Sequence, residues 1–135
     1  MLFYNLENPR FWLFLGLFLL FLVSFLMFIP TDWLFSSENI EDSAYLDKII
    51  HTLVFTFLVS WFSGQVKITI SFFVVISVYG LFTECVQYYL PYRSLEWLDI
   101  LFNQIGIICG FIIGKIFLNG WSVKFEEVMS KNWIF

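Results

Sequence analysis

Glu84, Gln87, Arg93, Glu96, Asp99 and Asn103 crowd around a Pro91 turn between two strongly apolar runs, and Asp47, Lys48 and His51 open another such run. Ionisable groups at membrane depth are costly and generally survive only with a partner or a task. These residues are therefore the chemically informative part of the chain. Arg93 offers a planar fork of donors that can hold a phosphate or carboxylate bidentately, or can pair internally with Glu84, Asp99 or Asp47. Glu84 lies about two turns inside the outer end of its helix. There it can act as a general base or ligand contact, or as the acidic half of a network that joins helices.

His51 is the single histidine, four residues beyond Asp47 and so on the same helical face. The pair can be an orienter and a base, or half of a metal site. One His with carboxylates is a thin ligand set for zinc, and calcium through Asp47, Glu84 and Asp99 is the alternative. We expect no metal and no cofactor. Gln87 and Asn103 can each donate and accept, and so can satisfy a carboxylate or a ligand oxygen. Lys48 can snorkel to headgroups or neutralise Asp47. Asp99 suits the positive end of the helix it begins, and Ser94 and Glu96 precede it.

The candidate ligand residues are thus Asp47, Lys48, His51, Glu84, Gln87, Arg93, Asp99 and Asn103. Glu84, His51 and Asp99 are the candidates for catalysis. No serine or cysteine is paired with His51 as a nucleophile, and Gly-rich phosphate loops and HExxH are absent. Cys85 and Cys109 lack CxxC spacing and read as small buried hydrophobes.

The elements that must position this set are membrane helices. The chain is 60% hydrophobic and 13% charged, with 19 Phe and 6 Trp, against roughly 25% charged in ordinary soluble domains. Mean hydropathy is +0.83. A soluble chain of 135 residues could not hide so much apolar surface, so an integral membrane protein is indicated. The Phe excess reads as a lipid-facing preference rather than a stacking box. No basic stripe, RNA motif or zinc-finger spacing points to nucleic acid.

Four apolar runs are long enough to span, at about 20 residues each. They cover Phe11 to Ile29, about Leu46 to Phe62, about Ile68 to Leu90 and about Leu98 to Leu118. The acidic segment Thr31 to Leu46, with Asp32, Glu38, Glu41 and Asp42, reads as an extramembrane loop. Continuous rather than alternating apolar runs exclude a spanning barrel.

Four spans place both termini on one side with Lys67. That side carries Arg10, Lys67, Lys115, Lys124 and Lys131, and the opposite side only Lys48 and Arg93. The positive-inside bias makes the termini cytoplasmic and turns the polar set outward. Residues 1–118 then form the four-helix domain. Residues 119–135 form a cytoplasmic tail, with Trp121, Phe125, Val128 and Met129 on one face of an interfacial amphipathic helix.

On the fourth helix the face of Asp99 and Asn103 continues as Gly106, Gly110 and Gly114, a small-xxx-small seam that packs closely against a neighbour. The polar stripe therefore points into the bundle. On the third, Ser77 and Gly80 continue the face of Glu84 and Gln87 and leave room for a neighbouring helix.

The ordered set Asp47-Lys48-x-x-His51, Glu84-x-x-Gln87, Pro91-x-Arg93-Ser94 and Asp99-x-x-x-Asn103-x-x-Gly106, over residues 47–114, resembles the VanZ-like family. Those are small bacterial membrane proteins named for a teicoplanin-resistance component. The resemblance implies a multi-pass protein of the bacterial cytoplasmic membrane and, for some members, resistance to a lipid-bearing glycopeptide. It settles no reaction. Expected partners are membrane lipids and a lipid-linked precursor or lipoglycopeptide, with Arg93 and Lys48 taking the anion. The other readings are an enzyme that modifies a lipid or cell-wall precursor, with Glu84 or His51 as base, and a scaffold for a membrane complex.

Overall fold

A computed structural model describes residues 3–30, 40–92 and 96–132. Arg93, Ser94, the loop carboxylates Asp32 and Glu38, and Trp133 lie outside the described residues, as do the side chains of Glu41 and Asp42. Five helices follow one another: α1 Pro9–Phe28, α2 Ile40–Phe62, α3 Ile70–Tyr88, α4 Trp97–Ile116 and α5 Trp121–Asn132. The first four each contain a stretch long and apolar enough to cross a bilayer. Among the described residues the only extended pairing is one bridge between Phe3 and Val66. The expected all-α architecture of four spanning helices is present.

The second helix starts at Ile40, earlier than the apolar run. The polarity of that segment reports its place outside the apolar layer and says nothing of its backbone, which is why it read as loop. Helices suit a bilayer because each satisfies its own backbone groups.

Packing divides each helix into an inward stripe and a lipid-facing remainder. The first helix buries Trp12, Gly16, Val23 and Met27 and turns Phe11, Phe14, Phe18, Phe21 and Phe25 outward. The Phe excess is thus largely outside, as expected of a lipid-facing preference. Val23 and Met27 meet Phe55, Leu58 and Val59 of α2, Phe72 and Ile76 of α3 and Ile107 of α4 in one core. Cys85 and Cys109 are free and exposed, which corrects their reading as buried hydrophobes. A thiol is small and weakly polar, so an outward position among lipid chains suits it as well.

The closest helix pair is α2 with α4, and the glycines are the reason. A Cβ on Gly106 would lie 2.4 Å from the Thr52 carbonyl oxygen, and one on Gly110 2.7 Å from the Thr56 carbonyl oxygen and from Val59 Cβ. No larger residue fits that approach. The gap so closed brings α2 hydroxyls within reach of α4: Thr52 Oγ1 and Thr56 Oγ1 donate to the Lys48 and Thr52 carbonyls of their own helix at 3.1 and 2.7 Å and share those protons with the Phe102 and Gly106 carbonyls at 3.3 and 3.1 Å.

One end of the bundle gathers the chain start, the α2–α3 turn and α5. Tyr4 N donates to Gln65 O at 3.0 Å and Gly120 N to Ser63 O at 3.0 Å. Gly120 has a φ of 66°, the left-handed region that glycine enters freely, and so turns the chain from α4 into α5. Glu126 of α5 is buried. Its carboxylate accepts from Glu7 N at 2.7 Å, Asn8 N at 3.0 Å and Trp12 Nε1 at 2.8 Å. That places an anion at the positive end of α1 and satisfies donors that no helix can satisfy itself.

Phe125 and Val128 of α5 are exposed, as an interfacial helix requires. Trp121 departs from the expected apolar face. It packs edge-on against Trp12 and Trp61, with centroids 5.4 and 4.9 Å away. The same sequence spacing allows either placement, and the neighbouring indoles decide it.

Candidate functional site

The polar residues collect at the opposite end of the bundle. Helix α2 supplies Asp47, Lys48 and His51, α3 supplies Glu84, and α4 supplies Asp99 and Asn103, with Glu96 immediately before it. Asp47 and His51 share a face because they are one turn apart, as do Asp99 and Asn103. The glycine seam sets these two faces against each other. All six side chains from the helices are buried.

Asn103 is the hub. Its Nδ2 donates to Glu84 Oε1 at 2.7 Å, and its Oδ1 lies 2.8 Å from His51 Nδ1. Glu84 Oε1 is also 3.2 Å from that same nitrogen. Both neighbours of Nδ1 are acceptor oxygens, so Nδ1 carries a proton and donates. The opposite nitrogen, Nε2, faces Asp47 Oδ2 at 3.8 Å and makes no hydrogen bond. Glu84 Oε2 and Asp99 Oδ1 are likewise buried without one.

Lys48 pairs with Glu96 beside this set. Its Nζ donates to Glu96 Oε2 at 3.0 Å and stands 3.9 Å from Asp99 Oδ1. The lysine side chain is 11% exposed and that of Glu96 45%. Charge is one-sided here: among the described residues, Asp47, Glu84, Glu96 and Asp99 face one lysine and one histidine.

One expected ligand residue is placed differently from the rest. Gln87 points across to α1, where its Nε2 donates to the Met27 carbonyl at 2.7 Å, while Tyr92 Oη donates to the Phe28 carbonyl at 2.9 Å. Both close carbonyls at the end of α1 that have no partner within the helix. Arg93 lies outside the described residues. Calcium through Asp47, Glu84 and Asp99 is also not the arrangement found, because Glu84 contacts the Nδ1 edge of the imidazole and Asp47 the Nε2 edge.

Sequence reasoning assigned Glu96 to the start of α4 and did not foresee its pairing with Lys48. It also passed over Thr52, Thr56 and Glu126. The two threonines carried a usable signal, since hydroxyls four apart on an apolar helix commonly bond to a neighbour. Glu126 carried none, because a lone carboxylate in an amphipathic segment looks like any solvated one.

A family model described as VanZ/LLP1 matches residues 3–118. The chain belongs to the VanZ-like family. No curated protein and no solved structure matches it. The match begins before α1 and ends after α4, so the VanZ-like unit takes in the first helix and the acidic segment beyond the motifs of 47–114. This VanZ-like chain is a multi-pass membrane protein, and its polar cluster lies wholly within the matched span.

Proposed function

We propose that this VanZ-like protein recognises the anionic headgroup of a lipid-linked molecule, or the lipid-bearing glycopeptide teicoplanin, at the outer leaflet of the bacterial cytoplasmic membrane. The observation that carries the reading is the Lys48–Glu96 pair. A nearly buried ammonium holds a half-exposed carboxylate at 3.0 Å. An arriving phosphate or carboxylate can take the place of Glu96 on Lys48, because Glu96 is the half-exposed partner and regains water as it leaves. Asp99 and Asn103 lie buried on the adjoining face of α4, and Arg93 is the second cation the sequence supplies nearby.

The test is binding of a short polyprenyl phosphate to protein in nanodiscs. Lys48→Met is expected to lose binding. Glu96→Gln, which removes the competing carboxylate, is expected to tighten it by up to about fivefold. Equal affinity in all three forms would sink the proposal. Teicoplanin and vancomycin susceptibility of a sensitive host, at matched membrane levels, tests the drug arm. Protection against teicoplanin alone, lost in Glu84→Gln and Arg93→Ala, is the expected result.

A second reading is favoured by His51 itself. A histidine whose Nδ1–H is held by Asn103 and Glu84 while Nε2 is uncommitted has the form of an oriented general base. An enzyme acting on a lipid or cell-wall precursor would leave a changed lipid species in cells. An unchanged lipid profile in a His51→Gln strain counts against it.

A further inference from the structure

We propose that Asp47, His51 and Asp99 bind a divalent transition-metal ion of the zinc type, with Asn103 and Glu84 as its outer support. These three buried residues can each offer one ligand atom, and the atoms lie within 4.8 Å of one another. Ligand atoms about 2.0–2.2 Å from a shared ion stand roughly 3–4 Å apart. The observed spread needs only a small contraction, and the 3.8 Å between His51 Nε2 and Asp47 Oδ2 already fits.

The imidazole supplies the independent observation. His51 is 1% exposed, and its Nε2 makes no hydrogen bond although it faces a carboxylate. With Nδ1–H directed at Asn103 and Glu84, the neutral imidazole presents Nε2 as a lone pair. A lone pair opposed to carboxylate oxygen at that distance is repulsive, and a proton or a metal ion on Nε2 relieves it. This is also the outer arrangement that metal-binding histidines have, with the second ring nitrogen donating to a carboxylate or amide oxygen. Asp99 Oδ1 makes no hydrogen bond either, since the short contact of Lys48 is with Glu96.

An imidazole nitrogen beside two carboxylates selects a borderline ion such as Zn2+ over Ca2+, Mg2+ or Mn2+, which prefer oxygen ligands. Three protein ligands leave a coordination position open, as in catalytic rather than structural zinc sites. Metal binding stands on this geometry alone. Only its use, as a positive partner for a phosphate headgroup, rests on the function proposed above.

The test is equilibrium dialysis of the purified chain in detergent against Zn2+, Mn2+ and Ca2+, with bound metal counted by mass spectrometry. The expected result is about one Zn2+ per chain. Asp99→Asn and His51→Gln should weaken binding at least tenfold, and Asn103→Ala about 10–100-fold. The exposed Glu127→Gln should leave it unchanged. Co2+ taken up in place of Zn2+ should give visible absorption bands that His51→Gln removes, a readout on folded wild-type protein as well. Zn2+ no tighter than Ca2+ in the wild type, or Zn2+ held equally by a folded His51→Gln variant, overturns the proposal. Should Zn2+ binding fail while polyprenyl phosphate still binds through Lys48, this inference falls and the headgroup reading stands.

Discussion

Asn103 serves two partners with one amide, donating to Glu84 and accepting from His51. Asn103→Leu keeps the volume and removes both bonds, stranding buried polar atoms. A buried group left unsatisfied costs about 1–3 kcal/mol, so thermal unfolding in detergent should fall by that order. A melting temperature equal to that of the wild type would mean that the hub carries no stability. At this scale the sequence was partly legible. Four-residue spacing put Asp47 with His51 and Asp99 with Asn103, and the cost of intramembrane charge pointed them inward. Spacing could not tell which edge of the imidazole each carboxylate would meet. It also could not separate Gln87 from Glu84, since residues three apart share a face yet here reach different helices.

At the scale of the element, the glycines of α4 are not equivalent to that of α3. A Cβ at Gly110 would meet the Thr56 carbonyl at 2.7 Å, whereas one at Gly80 would touch the Phe55 ring at an ordinary 3.4 Å. Gly110→Ala should therefore destabilise by about 1–3 kcal/mol through overpacking, and Gly80→Ala should be close to neutral. Unfolding of both variants in mixed micelles checks the contrast, and a reversed order would refute it. Thr56→Val, which removes the hydroxyl shared between the Thr52 and Gly106 carbonyls, should cost about 0.6 kcal/mol. The ladder itself was plain in the sequence because glycine at four-residue steps signals close approach. Its partner was not, since small residues record how near a neighbour comes and not which helix it is.

For the whole molecule, the contacts at one end tie the chain start, the Lys67 turn and α5 together, with the polar cluster at the far end. The Lys/Arg bias then predicts a cytoplasmic C-terminus, so a C-terminal green fluorescent protein should fluoresce and a C-terminal alkaline phosphatase should be inactive. The opposite pattern would invert the assignment and turn the polar cluster to the cytoplasm. Helix number was legible from apolar run length. The docking of α5 was not, because amphipathic spacing does not reveal an inward carboxylate. That carboxylate has a consequence for biosynthesis. Glu126 leaves the ribosome more than a hundred residues after Trp12, a delay on the order of ten seconds at ordinary elongation rates. Throughout that interval the backbone N–H groups of Glu7 and Asn8 lack their acceptor. Helix α1, made before the other apolar helices described, is thus among the last to be finished, and a chain that stops short of Glu126 leaves those N–H groups without their carboxylate.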